Sequence, residues 1–536
     1  MLPATPDPMR AALNRVTFGA RDTDVAYANS LGWTAWVNEQ LNAPPGDDPD
    51  LATHLAAQTM RIQYAAPNPA TQPNGTWVAT DEMRPLNYLN QTIPELYNVA
   101  TRAGREFANQ ERTRIRQELL AATWIRNAHS RYQLREFMTD FWHNHFNIGK
   151  NENEICTALL PVYDRVSIRP HVFGNFRTML EANANAPSML LYLDNYLSTS
   201  TTPNENYARE IMELHTLGED AYFGVGDTGI VPRDSFFNIP IGFTDQDVIQ
   251  ASRALSGWTI QTGQRVGTTT LPATGEFVYN ANQHNTRAGL ILGVDMAPLT
   301  APQAQGRRFL DIIAAHPATA RFVCAKLCRR IFGEAHSAHV LPRAISAWNR
   351  YAAMPDQIAH VLRAILLEGD DVFTQLPLKV RRPYERLLAL FRTTDMVVNA
   401  ATTMTTVLDP LNDALFAWGA PDGRPDVNDY WLATGATLTT WNLLFQFPNM
   451  TSIRTSLSAQ TPASATTATA VVEYWVGRMI GHELPASVMN VLVGDQTSAA
   501  GVIGARNTTS NTANNVEIAH RRLVSLIATT EQFSLR

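Results

Sequence analysis

The chain has 536 residues, 45% hydrophobic and 17% charged, with a formal charge of −6. That length holds two or three domains, or one large body with long insertions, and the composition excludes a disordered chain. The acidic balance argues against a general nucleic-acid binder, which is usually basic.

In chain order, the opening Met1-Leu2-Pro3-Ala4-Thr5-Pro6 lacks the charged and apolar regions of a signal peptide. The expectation is either a cytoplasmic protein or one whose leader is replaced by an initiator Met. Helical apolar spacing covers residues 7–20, 31–42, 86–104, 108–128 and 130–146. It returns at 203–217, 244–256, 303–314, 317–332, 340–352, 356–367 and 379–396, and then at 429–446, 470–481 and 516–530. Strand signals are short, mainly Phe277-Val278-Tyr279 and Leu290-Ile291-Leu292. Residues 62–85, 219–243 and 257–302 read as irregular insertions, and 451–469 as a Ser/Thr/Ala-rich surface loop or mobile segment. Loops this long in a helical body usually build a binding surface. No fixed-period repeat and no apolar run of membrane-spanning length occurs. The expected fold is mainly α, a large single helical body of toroid-like or irregular multi-helix form with only short strands. Its expected parts are a main domain over 1–400 carrying the site and a C-terminal helical part over 401–536 packed on it.

Basic residues are 40 Arg against 3 Lys (Lys150, Lys326 and Lys379), the bias of a GC-rich bacterial genome. Three cysteines cannot form a disulfide framework. Cys324 and Cys328, four apart on a predicted helix, read as buried inert thiols, with a metal pair as the alternative.

The most informative segment is Thr202 through Gly218. Thr202 is placed to cap, Pro203 suits the first helical position, Glu205 completes a capping box, and Gly218 supplies a left-handed stop. Tyr207, Ile211 and Leu214 form the apolar stripe, flanked by Asn206, Glu210 and Glu213. A polar row beside a buried stripe suits a pocket wall. The second cluster is Phe141-Trp142-His143-Asn144-His145-Phe146. Here the apolar face formed by Leu134, Phe137, Met138 and Phe141 centres on His145, and His143 points about 200° away.

Two chemistries use these residues. In the first, Glu210 and Glu213 are acid/base carboxylates for glycoside hydrolysis, with Asp194 as a partner from elsewhere because a three-residue spacing brings the pair too close. In the β-elimination form, Asn206, His143, Tyr207, Arg209 and Glu210 neutralise a substrate carboxylate and move a proton. His284 and Trp258 are further substrate-binding candidates. In the second, His143, His145 and Glu210 (with Glu213 or His284 as further donors) hold zinc, iron or manganese, which requires the backbone to leave helical geometry near Gly149. The plain alternative makes Arg209–Glu213 a surface ion pair and Asn206 a structural amide. A non-catalytic glycan- or protein-binding scaffold is the remaining reading.

Several motifs resemble the bacterial family called domain of unknown function 1800. They are Leu13-Asn14-Arg15-Val16-Thr17-Phe18-Gly19, Gly32-Trp33 through Leu41, Phe141 through Phe146, and Asn204 through Gly218. Thr244 through Trp258, His316-Pro317 through Phe322, Lys379 through Pro383, Gly423-Arg424-Pro425-Asp426 through Leu432, and Glu531 through Arg536 extend the resemblance along nearly the whole chain. It implies a largely helical bacterial protein, exported to the periplasm or medium. The family often stands beside a second one related to sulfatases and phosphatases, so a sulfatase-like partner and extracellular polymers are implied too. Asn285 after His284 departs from the family's usual His-Asp. The expectation is an exported enzyme acting on a polymeric, carbohydrate substrate by acid/base hydrolysis or β-elimination.

Overall fold

Among the described residues, helical periodicity with few strand signals folds into 26 α-helices joined by short 3-10 and π turns, with four two-stranded antiparallel sheets. The computed structural model describes all residues except 1, 150–152, 236–237, 267, 451–454 and 499–512. The fold is mainly α. Among the described residues no helix is long and apolar enough to cross a membrane.

One hydrophobic cluster runs from Met9 to Phe533 and takes in residues on both sides of position 400. Phe391 of the Pro383–Thr393 helix lies 5.3 Å from Phe447, and Leu444, Trp475 and Leu523 join the same cluster. Trp124, Trp142, Trp258 and Phe137 are fully buried. Removing an aromatic or aliphatic side chain of this kind from water contributes about 1.5–3 kcal/mol. The last residues pair back on the segment before the Pro383–Thr393 helix: Arg381 N donates to Ser534 O at 2.8 Å, and Arg536 N to Lys379 O at 2.9 Å.

Most predicted helices are present, several trimmed at their ends. Short helices at Asp22–Leu31, Pro49–Ala56, Phe176–Ala184 and Pro187–Tyr192 add to them. The 62–85 insertion is not irregular throughout, because Thr59–Tyr64 pairs with Thr80–Pro85 as a hairpin. The predicted strands at Phe277–Tyr279 and Leu290–Ile291 form, each in a two-stranded ribbon. Residues 451–454 of the predicted 451–469 loop lie outside the described residues; Leu457–Gln460 is a helical turn and Ala468 opens a helix.

The key helix starts later than its sequence suggests. It spans Glu205–Glu213 and is capped by Asn204, whose side chain accepts from Asn206 N. Thr202 instead bonds Thr199 through their hydroxyls at 2.7 Å, since Asn is at least as good a cap as Thr and sits closer to the apolar stripe. Gly218 has φ of +93°, and a Cβ there would lie 2.7 Å from the Phe322 ring. Only glycine allows both that turn and that contact.

Candidate functional site

The Gln133–His145 helix is fully helical, so its two histidines face different surroundings. His143 Nε2 lies 2.8 Å from Asp164 Oδ1, and Asp164 also accepts from Arg169 Nε at 2.8 Å. Burial works against the Asp164 charge, but Arg169 and His143 outweigh it and hold the carboxyl well below the usual carboxylate range. This pair borders a closed void of about 10 Å³, roughly the space of one water.

His145 is buried, and its Nε2 faces His215 O at 3.1 Å, an arrangement that makes Nε2 the donor. Its Nδ1 has no hydrogen-bond partner among the described residues. Burial first, then the charge of Lys326, keeps this imidazole neutral far below its ordinary titration range. His143, His145 and Glu210 are therefore not assembled into the expected metal set. Among the described residues no group of three or more His, Cys, Asp or Glu is placed to hold a metal ion. Cys324 and Cys328 are fully buried in the core.

His145 lines a much larger cavity of about 840 Å³. The Pro317–Phe332 helix forms one wall, where Arg321, Phe322, Lys326 and Arg329 recur at helical spacing. Glu219 and Asp220, just after the Gly218 turn, and Asp422 with Asp426 bring carboxylates to the same space. A buried ion cluster backs it: Asp140 accepts from Arg382 at 2.6 Å and Arg330 at 3.0 Å. Arg382 also meets Asp413 at 3.1 Å, and Arg330 pairs with Glu385. Burial opposes the Asp140 charge, yet Arg382, Arg330 and Arg424 hold its carboxyl below the ordinary value. Asp140 borders both the large cavity and the small void.

Glu210 does not line the cavity itself; its backbone oxygen accepts from N of the lining residue Leu214 at 2.8 Å, one helical turn on. Burial, with Glu213, Asp422 and Glu219 adding to it and Arg209 opposing, raises its carboxyl to about 7. On the cavity wall, burial lowers the Lys326 ammonium to about 8, with Asp426 opposing and Arg329 reinforcing. An acid and an amine are thus drawn toward neutrality from opposite sides within one charged surface.

The other sequence candidates lie elsewhere or are engaged. Glu213 accepts from Arg209 at 3.3 Å, and Arg209 also donates to Asp245 at 3.0 Å, so the ion-pair alternative describes these two. Asn206 donates to Leu193 O at 3.3 Å. Tyr207 is buried in the core, and burial pushes its phenol well up. Asp194 is exposed in a left-handed turn, and its backbone carbonyl accepts from Asn204. Trp258 is fully buried, its ring against Gly306, and offers no surface for a substrate. His284 is held by Ser256 O at 3.0 Å and Gln305 at 3.1 Å, and Asn285 donates to Ser200 O, so this pair pins a loop. Asn285 serves that role through its amide NH₂, a donor that an Asp lacks.

Sequence reasoning missed Lys326, Asp422 and Asp426 as site residues. The signals available were the scarcity of lysine and the motifs around His316–Phe322 and Gly423–Asp426.

A model of the family described as "Protein of unknown function (DUF1800)" matches residues 11–535, and the chain belongs to that family. No curated protein and no solved structure matches it.

Proposed function

We propose that this family member is an acid/base enzyme whose substrate lies in the 840 Å³ cavity, with Glu210 as the group that gives and takes the proton. The observation that carries this reading is a carboxyl raised to about 7, one helical turn from the lining residue Leu214 and under the charges of Asp422 and Glu219, which line the cavity. Near neutral pH such a group is present in both forms, so it can protonate a leaving oxygen and then accept a proton back. Burial first, then Glu213, with Asp422 and Glu219 adding to them, favour the protonated form of that carboxyl, while Arg321 and Arg329 stand ready to neutralise charge on a substrate. Phe141, Phe223 and Phe322 supply apolar faces among these charges, a lining that suits sugar rings with one apolar and several hydroxylated edges.

A carbohydrate polymer handled outside the cytoplasm, cleaved by hydrolysis or elimination, is the substrate class this reading favours. The test is to incubate the protein with a panel of bacterial and plant polysaccharides. Release of reducing ends reports hydrolysis, and the ultraviolet band of an unsaturated uronate reports elimination. Turnover by the wild type that Glu210→Gln removes supports the reading. Equal turnover by the variant, or none by either protein on any glycan, overturns it.

A further inference from the structure

Lysine is scarce in this chain, which uses arginine for nearly every cation. The Asp140 cluster, the Asp164 pair and the Glu111 contact are all made by Arg. A guanidinium cannot give up its proton in a protein, whereas an ammonium can. The retained lysines therefore draw the eye to places where an amine does something an arginine cannot.

Lys379 and Lys326 differ sharply. Lys379 Nζ is tied to Asp426, at 2.6 Å from the carboxylate and 2.8 Å from the backbone oxygen, which is an anchor. Lys326 lines the large cavity, and among the described residues its Nζ forms no ion pair or hydrogen bond. Its recorded contact is the face of the Phe322 ring, 5.2 Å away. Phe322 is itself set by the glycine turn at 218. Behind it stand His145 and His215, both buried, with His145 Nδ1 and His215 Nε2 unpartnered among the described residues. Burial first, then Lys326, holds His215 down to about 3, so both rings stay neutral beside the amine. This is a half-buried, unpaired amine with open space in front of it, a setting that suits a nucleophile.

We propose that Lys326 is the amine of an imine-forming site, whose Nζ condenses with the carbonyl carbon of an aldehyde or ketone bound in the large cavity. The Nζ lone pair forms the new N–C bond and the carbonyl π electrons move to oxygen. The two amine protons then leave with that oxygen as water, and a C=N bond remains. Glu219 and Asp422 relay protons to the departing oxygen. Addition of water reverses the sequence. The inference rests on the cavity and not on the glycan reading, although a sugar enzyme would present the open-chain reducing end here.

The test uses the full chain, glycolaldehyde as the carbonyl probe, and sodium cyanoborohydride to reduce the imine to a stable secondary amine. Peptide mass spectrometry then locates the adduct. At pH 7 an amine that titrates near 8 instead of 10.5 is neutral on the order of a hundred times more often. The expected result is therefore labelling of Lys326 roughly a hundred-fold faster than of free Nα-acetyl-lysine, saturating with glycolaldehyde concentration. Lys326→Arg is expected to remove that adduct. Should this variant fail to fold, the wild-type rate ratio still decides. Labelling of Lys326 at or below the reference rate, or an adduct spread evenly over all amines, overturns the proposal. Because trapping needs no turnover, a failed glycan screen leaves it standing, and a failed trapping leaves the Glu210 reading standing.

Discussion

Two charged regions lie back to back in this protein and behave oppositely. In the cluster of Asp140, Glu385 and Asp413 with Arg330, Arg382 and Arg424, each carboxylate is matched by guanidinium groups within ion-pair distance. Lys326 on the cavity wall and Glu210 one turn from it are half-buried and have no ion pair among the described residues. Both regions bear the cost of desolvation. The first sets several guanidinium groups at ion-pair distance against Asp140, which titrates below its usual range; around Glu210 and Lys326 the opposing charges of Arg209 and Asp426 do not outweigh burial, and both groups move toward neutrality.

The largest expected effect tests the scaffold half. Asp140→Ala strips three arginines of their common acceptor, and unpairing buried charges of this kind costs about 3–5 kcal/mol. Urea denaturation should show a loss of that size, and a variant as stable as the wild type would break the comparison.

Glu210→Gln addresses the reactive half and should behave in the opposite way. Turnover is expected to fall about 100-fold or more, with no loss of melting temperature. Its pH signature is separate. The folded-state carboxyl stands above its unfolded value of 4.5, so the wild type loses stability as pH rises from there to about 7. The variant should lack that slope in a series of denaturation curves. Lys326 is the mirror case: lowered from 10.5 to about 8, it adds stability as pH rises between those values.

Gly218→Ala sharpens the link between turn and wall. A Cβ at φ +93° and 2.7 Å from Phe322 should cost roughly 1–2 kcal/mol and disturb the ring beside Lys326. A slower glycolaldehyde label on Lys326 would accompany the lower melting temperature. The smallest effect belongs to Glu213→Ala. Its partly exposed pair with Arg209 should be worth at most about 1 kcal/mol by thermal melting, and losing its charge should shift the pH profile of turnover toward lower pH.

Much of the fold was legible because long amphipathic stretches such as 317–332 and 383–393 carry their period plainly. Short helices such as Phe176–Ala184 and Pro187–Tyr192 are too brief for a period to show, and Pro161 and Pro170 interrupt the turns that lead into them. The Thr59–Tyr64 hairpin was missed because only Met60 and Ile62 of its first strand are buried. Helical geometry separated His143 from His145, and the polar row of the 205–213 helix singled out Glu210, whose carboxyl is raised to about 7 although it does not line the cavity. The cavity itself was not legible. Its walls come from residues near 140, 219, 326 and 422, and only tertiary packing brings those together. Desolvation, the leading cause of both key titration shifts, has no sequence signature.

Arg536 donates to Arg15 O at 3.1 Å across 521 positions of sequence, and its guanidinium also approaches Glu385 at 3.5 Å. Closing so long a loop is entropically costly and slow, and nothing local rewards it until the interior is in place. The contacts that close the ion cluster behind the cavity thus join the two ends of the chain, so removing the last residues should loosen that cluster, and a truncation that ends before Glu531 is expected to lower the melting temperature.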